Sequence, residues 1–257
     1  MVGAATIIPR MRRRARRIIL GTLALACACE PTPAPGRGDD VAAAPAPAPD
    51  LRRCKPAPGT TGSPKTLDEA VALANGLPFP VTAECFVEAL DRPLEIEATK
   101  SRASLQRAEG ERSPRVFIWG DDALVISVVL DGPARDLVEF GQVVGPRRSI
   151  KAEIEFPLRE PTSTSAALER VRNPEHPRIT RCFVCHDQEE DEAGMGGARS
   201  SVALRPRKAT LVDVASLAGE HARCDRAAEP ARCGWLDAIF AHGPVEHRSF
   251  DAELPVF

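Results

Sequence analysis

Two thiols and an imidazole stand together in the run Cys182-Phe183-Val184-Cys185-His186, with two residues between the thiols and the imidazole directly after the second. That spacing suits three kinds of chemistry. Each thiol can form a thioether with one vinyl group of a single porphyrin, while the imidazole is offered to its iron. The thiols can instead close on each other as a disulfide in an oxidising compartment. All three side chains can also serve as ligands of a structural zinc ion. With eight Cys and five His in 257 residues, chance alone seldom produces this pattern, so a bound cofactor is the first expectation.

The compartment decides which chemistry is open. Arg10, Arg12, Arg13, Arg14, Arg16 and Arg17 form a basic block, and the apolar run Ile18 to Ala26 follows it. The run is too short for a stable bilayer-spanning helix and the right length for a secretion signal. It ends Leu25-Ala26-Cys27-Ala28-Cys29, which resembles a bacterial lipobox, where small residues precede a cysteine that becomes acylated; Cys27 and Cys29 both fit. Arg16-Arg17-Ile18 loosely resembles a twin-arginine signal with Ile in place of the usual aromatic residue, and a plain signal without lipid is the remaining alternative. Residues 30–64 are rich in Pro and Ala and poor in bulky apolar side chains, the composition of a disordered, extended spacer. Residues 1–29 are therefore expected to be a lipoprotein-type signal and 30–64 a tether. The body would then stand in the cell envelope, facing the periplasm or the surface and held to the membrane by a lipid anchor. A net charge of -2 and a pI near 6.3 provide no basic footprint for nucleic acid.

If Cys29 carries lipid, Cys27 leaves with the signal and Cys54, Cys85, Cys182, Cys185, Cys224 and Cys233 remain. Assigning Cys182 and Cys185 to a haem leaves four to pair. Cys224 and Cys233 flank a short loop containing Pro230 and form one expected disulfide; Cys54 with Cys85 follows by elimination.

Residues 65–160 read as a β-rich domain. Thr66-Leu67-Asp68-Glu69 is a capping box opening a helix that Asn75-Gly76 stops. Leu94 to Ala98 and Ile150 to Phe156 alternate apolar and charged residues, as half-buried strands do, so acids such as Glu95 and Glu153 are expected to face water. Val116 to Trp119 and Ala123 to Leu130 flank a turn at Gly120-Asp121-Asp122, and Leu137 to Val144 supplies another strand. The expected class is α+β, an antiparallel β-sandwich or open barrel with a CxxCH-bearing loop and two C-terminal helices. Residues 161–257 carry that loop, reached through Pro161, Pro174 and Pro177. Ser201 to Leu204 is a further strand returning to the sheet. Of the two helices, the first is capped by Thr210 and the second carries Trp235, Leu236, Ile239 and Phe240 on its buried stripe.

The five-residue motif resembles the attachment site of c-type cytochromes, and the motif together with a β-rich body resembles exported bacterial cytochrome c-like proteins. The resemblance implies haem c, with Cys182 and Cys185 as the thioether positions and His186 as the proximal ligand. It departs from small cytochromes c, which carry the motif on an N-terminal helix of an all-helical domain. The sixth ligand is left open. Met195 and His221 are the first candidates, His176, His242 and His247 are others, and an open or water-bound iron is a further alternative. A membrane-tethered carrier that exchanges electrons with an envelope redox partner, or a redox or gas sensor, would follow. The alternative from a different class is a non-enzymatic envelope binding or assembly lipoprotein whose CxxCH is a disulfide or zinc clip. Thiol exchange by the CxxC pair is a third reading, and the upstream prolines fit it poorly. No Gly-rich phosphate loop, Ser nucleophile elbow or HExxH occurs, so no catalytic residue is assigned and an electron carrier is favoured over a catalyst.

Overall fold

Successive residues of a strand point to opposite faces of a sheet, and this alternation divides the molecule into an apolar side and a polar side. The computed structural model describes residues 52–257; the basic block, Cys27, Cys29 and the spacer as far as residue 51 lie outside the described residues. Helices α1 (Leu67–Asn75) and α2 (Ala83–Glu88) precede strands β1 (Leu94–Thr99), β2 (Arg115–Asp121), β3 (Leu124–Val129), β4 (Leu137–Gly145) and β5 (Arg148–Glu155). Then come α3 (Thr164–Arg170) and the short strands β6 (Glu190–Asp191), β7 (Arg199–Val202) and β8 (Leu211–Val212). Helices α4 (Val214–Ala222) and α5 (Pro230–Phe240) and strand β9 (Val245–His247) complete the set. No helix among the described residues is long and apolar enough to cross a membrane.

The nine strands join one open sheet in the order β6-β7-β5-β4-β3-β2-β1-β8, with β9 beside β1. Pairing is antiparallel except between β1 and β9. The α+β class holds, but helices rather than a second sheet cover the apolar face, so the described residues form no sandwich. Strands β7, β8 and β9 come from residues 161–257 and pair with β5 and β1, so the two expected segments build one sheet.

Even-numbered strand residues make the core. Ile96, Ile118, Ile126, Phe140 and Ile154 share a buried cluster with Leu73 of α1, Phe86 of α2, Leu217 of α4 and Trp235 and Ile239 of α5. The Phe86 ring lies edge-on to Phe140 with centroids 5.9 Å apart and 5.8 Å from Phe156. Each such side chain contributes roughly 1.5–3 kcal/mol by leaving water.

Local signals explain most boundaries. The Thr66 hydroxyl accepts from the Glu69 backbone N–H at 3.2 Å, and the Glu69 carboxylate reaches back to the N–H of Lys65 at 2.6 Å, one residue before the expected partner. Thr210 does not cap a helix. Leu211 and Val212 extend along the edge of β1 as β8, the Thr210 hydroxyl meets that of Thr99 at 2.8 Å, and Asp213 takes the N-cap position of α4. An unpaired strand edge at β1 offers backbone partners that the sequence pattern does not display.

The expected spacer is not free as far as residue 64. The Arg52 guanidinium donates to the carbonyls of Ala89 and Leu90, both at 3.0 Å. Cys54 is bonded to Cys85 of α2, and Cys224 to Cys233 of α5, as the cysteine count suggested. At Gly120 a Cβ atom would stand 2.4 Å from the Pro64 carbonyl oxygen, so only glycine lets the chain pass there. A covalent bond, backbone contacts and the burial of Pro64 hold residues 52–64 to the body.

Candidate functional site

Odd-numbered strand residues build the other face. Arg115, Phe117 and Trp119 of β2, Ser127 of β3, Glu139 of β4 and Lys151 of β5 line a cavity of about 270 Å³. That volume lies just below the usual range of roughly 300–1,000 Å³ for small-molecule sites. Cys182, Cys185 and His186 line the same cavity, so the expected cofactor positions meet at one place.

The motif is held there by both neighbouring strands. Residues Arg181–Val184 form a single 3-10 turn whose first N–H groups are capped by Thr180, the hydroxyl accepting from Cys182 N–H at 3.1 Å. Thr180 donates its backbone N–H to Glu189 at 2.8 Å, and its hydroxyl bonds the same carboxylate. Arg199 of β7 closes on Glu189 at 3.3 Å. Arg181 donates to Glu153 of β5 at 2.8 Å. His186 Nδ1 bonds the Val202 carbonyl oxygen of β7 at 2.8 Å. A carbonyl only accepts, so Nδ1 carries the proton and Nε2 keeps its lone pair.

Electrostatics favour neutral groups at the motif. Burial, reinforced by Lys151, holds His186 down to about 3, so the imidazole is uncharged near neutrality. Burial pushes the Cys182 thiol up to about 12, with Glu139 adding to the effect and Lys151 opposing it. Such a thiol is not the thiolate that disulfide exchange requires. Cys182 and Cys185 are both free, and Cys185 is exposed. Among the described residues no three His, Cys, Asp or Glu side chains converge to hold a metal ion.

The expectation that the charged side of β5 faces water fails. Glu153 is 3% exposed, and burial raises its carboxyl above the usual range even though Arg181 opposes the shift. Burial brings Lys151 down to about 8. Its stem is only half-buried by surface although the ammonium lies deep among the strands, because the surface it keeps is cavity wall. Glu95 and Glu155 match the expectation, their side chains being 43% and 63% accessible. The motif region and residues 248–257 cover what would have been a solvated face. Phe250 sets its ring 5.0 Å from Phe117 and 4.8 Å from Trp119, and Arg248 lies over Trp119 at 5.2 Å while bonding Glu95 at 2.6 Å.

A closed network forms the polar floor. Arg115 pairs with Glu139 and donates to Ser127 at 2.6 Å, Ser127 donates to Gln106 at 2.9 Å, and Gln106 donates to the Leu137 carbonyl at 2.6 Å. Sequence reasoning missed this group. Its signal was the recurrence of polar residues at Ser127, Glu139, Lys151 and Glu153 on strands whose alternate positions are strongly apolar.

The candidates for a sixth iron ligand lie elsewhere. Met195 packs against the core cluster, and His221 bonds Asp237 at 2.9 Å and stacks on Phe240 of the helical layer. His242 stands 3.6 Å from Glu88. None of these residues, nor His176 or His247, lines the cavity.

No protein-family model, curated protein or solved structure matches this chain.

Proposed function

We propose that this protein carries one covalent c-type haem on Cys182 and Cys185, with His186 as its proximal ligand, and serves the bacterial cell envelope as a single-haem electron carrier or redox or gas sensor. The carrying observation is the conjunction at one cavity of two free thiols and an imidazole whose Nδ1 is tied to the Val202 carbonyl. Fixing Nδ1 selects the tautomer and ring orientation in which Nε2 can bind a metal. In attachment each thiol adds across one vinyl double bond. The sulfur goes to the carbon next to the ring and the hydrogen to the terminal carbon, so no electrons are gained or lost. When bound, haem iron supplies one-electron chemistry.

The chain's own residues supply position and exposure. Glu153, Glu189 and Val202 hold the turn against β5 and β7, while Phe183, Val184 and Cys185 are exposed at its outer side. A cavity of about 270 Å³ could enclose only part of such a group, and a partly enclosed group would be open to a redox partner. In this reading the lipobox-like Cys27 or Cys29 tethers the protein to the membrane.

The test is expression of the full chain with a cytochrome c maturation system. Wild type should retain haem through denaturing electrophoresis, Cys182→Ala with Cys185→Ala should lose it entirely, and His186→Ala should load poorly. Covalent haem in the double cysteine variant would refute the assignment. A wild type with no haem and a Cys182–Cys185 disulfide or stoichiometric zinc would support the non-enzymatic envelope module instead.

A further inference from the structure

The reading of a covalent haem leaves open what occupies the iron's remaining position, and the cavity narrows that choice. All three motif side chains line it, so a protein donor for the same iron has to come from the same walls. Of the other nitrogen and sulfur groups there, Arg115, Arg181 and Arg248 are guanidiniums without a usable lone pair and are engaged by Glu139, Glu153 and Glu95. The Trp119 indole N–H is a donor only. An amine remains, on Lys151.

We propose, resting on the haem reading above, that Lys151 would supply a second nitrogen ligand to the iron. Its Nζ donates to the Ser149 hydroxyl at 2.5 Å and makes no ion pair among the described residues. The cavity carboxylates Glu139 and Glu153 are held by arginines. Ligation would require the ammonium to give up a proton, leaving the amine lone pair for the iron.

Two features of the strands prepare the position. Lys151 lies two residues before Glu153 on β5, and Glu153 anchors the motif turn through Arg181, so one strand locates both the amine and the thiol pair. Directly across the β4–β5 ladder stands Gly141, where even a Cβ would come within 3.7 Å of Nζ. A larger residue there would occupy the space around the amine.

The test compares ferric spectra of the haem-loaded full chain. Wild type should be low-spin with two nitrogen ligands. Lys151→Ala and Lys151→Arg should both lose that signal, become mainly high-spin and bind carbon monoxide readily once reduced. The arginine variant separates ligation from charge, because a guanidinium keeps the cation and cannot ligate. Met195→Ala and His221→Ala should leave the wild-type spectrum unchanged. A high-spin wild type, or a low-spin signal surviving in either Lys151 variant, would overturn the proposal and leave covalent haem standing. Absence of covalent haem from wild type would overturn both readings. A measurement needing no Lys151 variant is mass-spectrometric amine labelling. Lys151 should be labelled in the haem-free double cysteine variant and protected in the loaded protein, and equal labelling would count against ligation.

Discussion

On β5, Ile150, Ala152 and Ile154 point into the helical layer, while Ser149, Lys151 and Glu153 point to the cavity side. The strands are shared, but the two faces solve opposite problems. The helical face gains stability by removing apolar surface from water. The cavity face buries charges whose desolvation must be offset by partners, as Arg181 does for Glu153 and Arg199 for Glu189. The cysteines divide in the same way. Cys85 and Cys233 lie on helices α2 and α5 and are bonded, whereas Cys182 and Cys185 border the cavity and are free. Bonded and free cysteines are thus separated by the sheet.

Breaking the helical face should have the largest effect on stability and little on the motif. Phe86→Ala removes a fully buried ring that touches two others and should cost about 4 to 5 kcal/mol in urea unfolding. A loss below about 1 kcal/mol would show that the helical layer is not the stabilising side.

Removing the disulfides sharpens the division between the cysteines. Cys54–Cys85 spans 31 residues and Cys224–Cys233 spans 9, so loop-closure entropy assigns about 4 and about 3 kcal/mol respectively. Paired Cys→Ala variants should rank in that order by chemical denaturation. Replacing Cys182 and Cys185 together should leave the stability of the haem-free protein within about 0.5 kcal/mol.

The ion pair under the motif should show asymmetry. Arg181→Ala strands a buried carboxylate and should cost about 2 kcal/mol, less than a fully enclosed pair because the arginine is 44% exposed and Glu153 can take up a proton. Glu153→Gln keeps an acceptor for Arg181 and should cost about 1 kcal/mol. Equal losses would mean that Glu153 is solvated after all.

Acid provides the smallest and most local probe. His186 is held down to about 3 in the folded chain, so between there and the ordinary histidine value the unfolded chain binds the extra proton. Its contribution is complete above pH 6.5 and falls as pH drops towards 3. Glu97 and Glu153, whose values are raised by burial, act in the opposite sense in the carboxylate range. The comparison with His186→Gln isolates the histidine. Between pH 6 and pH 5 the haem-free wild type should lose about 1 kcal/mol more than the variant, and no difference would contradict a buried neutral His186.

Much of this division is written in the sequence, and part is not. Period-two alternation places Leu94 to Ala98 and Ile150 to Phe156 in strands, the turn at Gly120-Asp121-Asp122 separates two more, and close spacing picks out Cys224–Cys233 while Cys54–Cys85 follows by elimination. Alternation states which residues share a face but not what covers it. That is why Glu153 reads as a solvated acid when the Arg181 turn in fact covers it. Edge pairing is equally invisible, since Leu211-Val212 becomes β8 only because β1 offers an open edge. The motif itself is fully legible. Its relation to Lys151 depends on a contact between segments some 30 residues apart, beyond the reach of local pattern.

The central claim is that the cavity face carries a covalent haem, and intact mass with a pyridine haemochrome spectrum on the matured wild-type protein tests it most directly. The account predicts the polypeptide plus one haem, an absorption typical of two thioether bonds, and no thiol at Cys182 or Cys185 open to alkylation. The bare polypeptide mass with both thiols alkylated would contradict it.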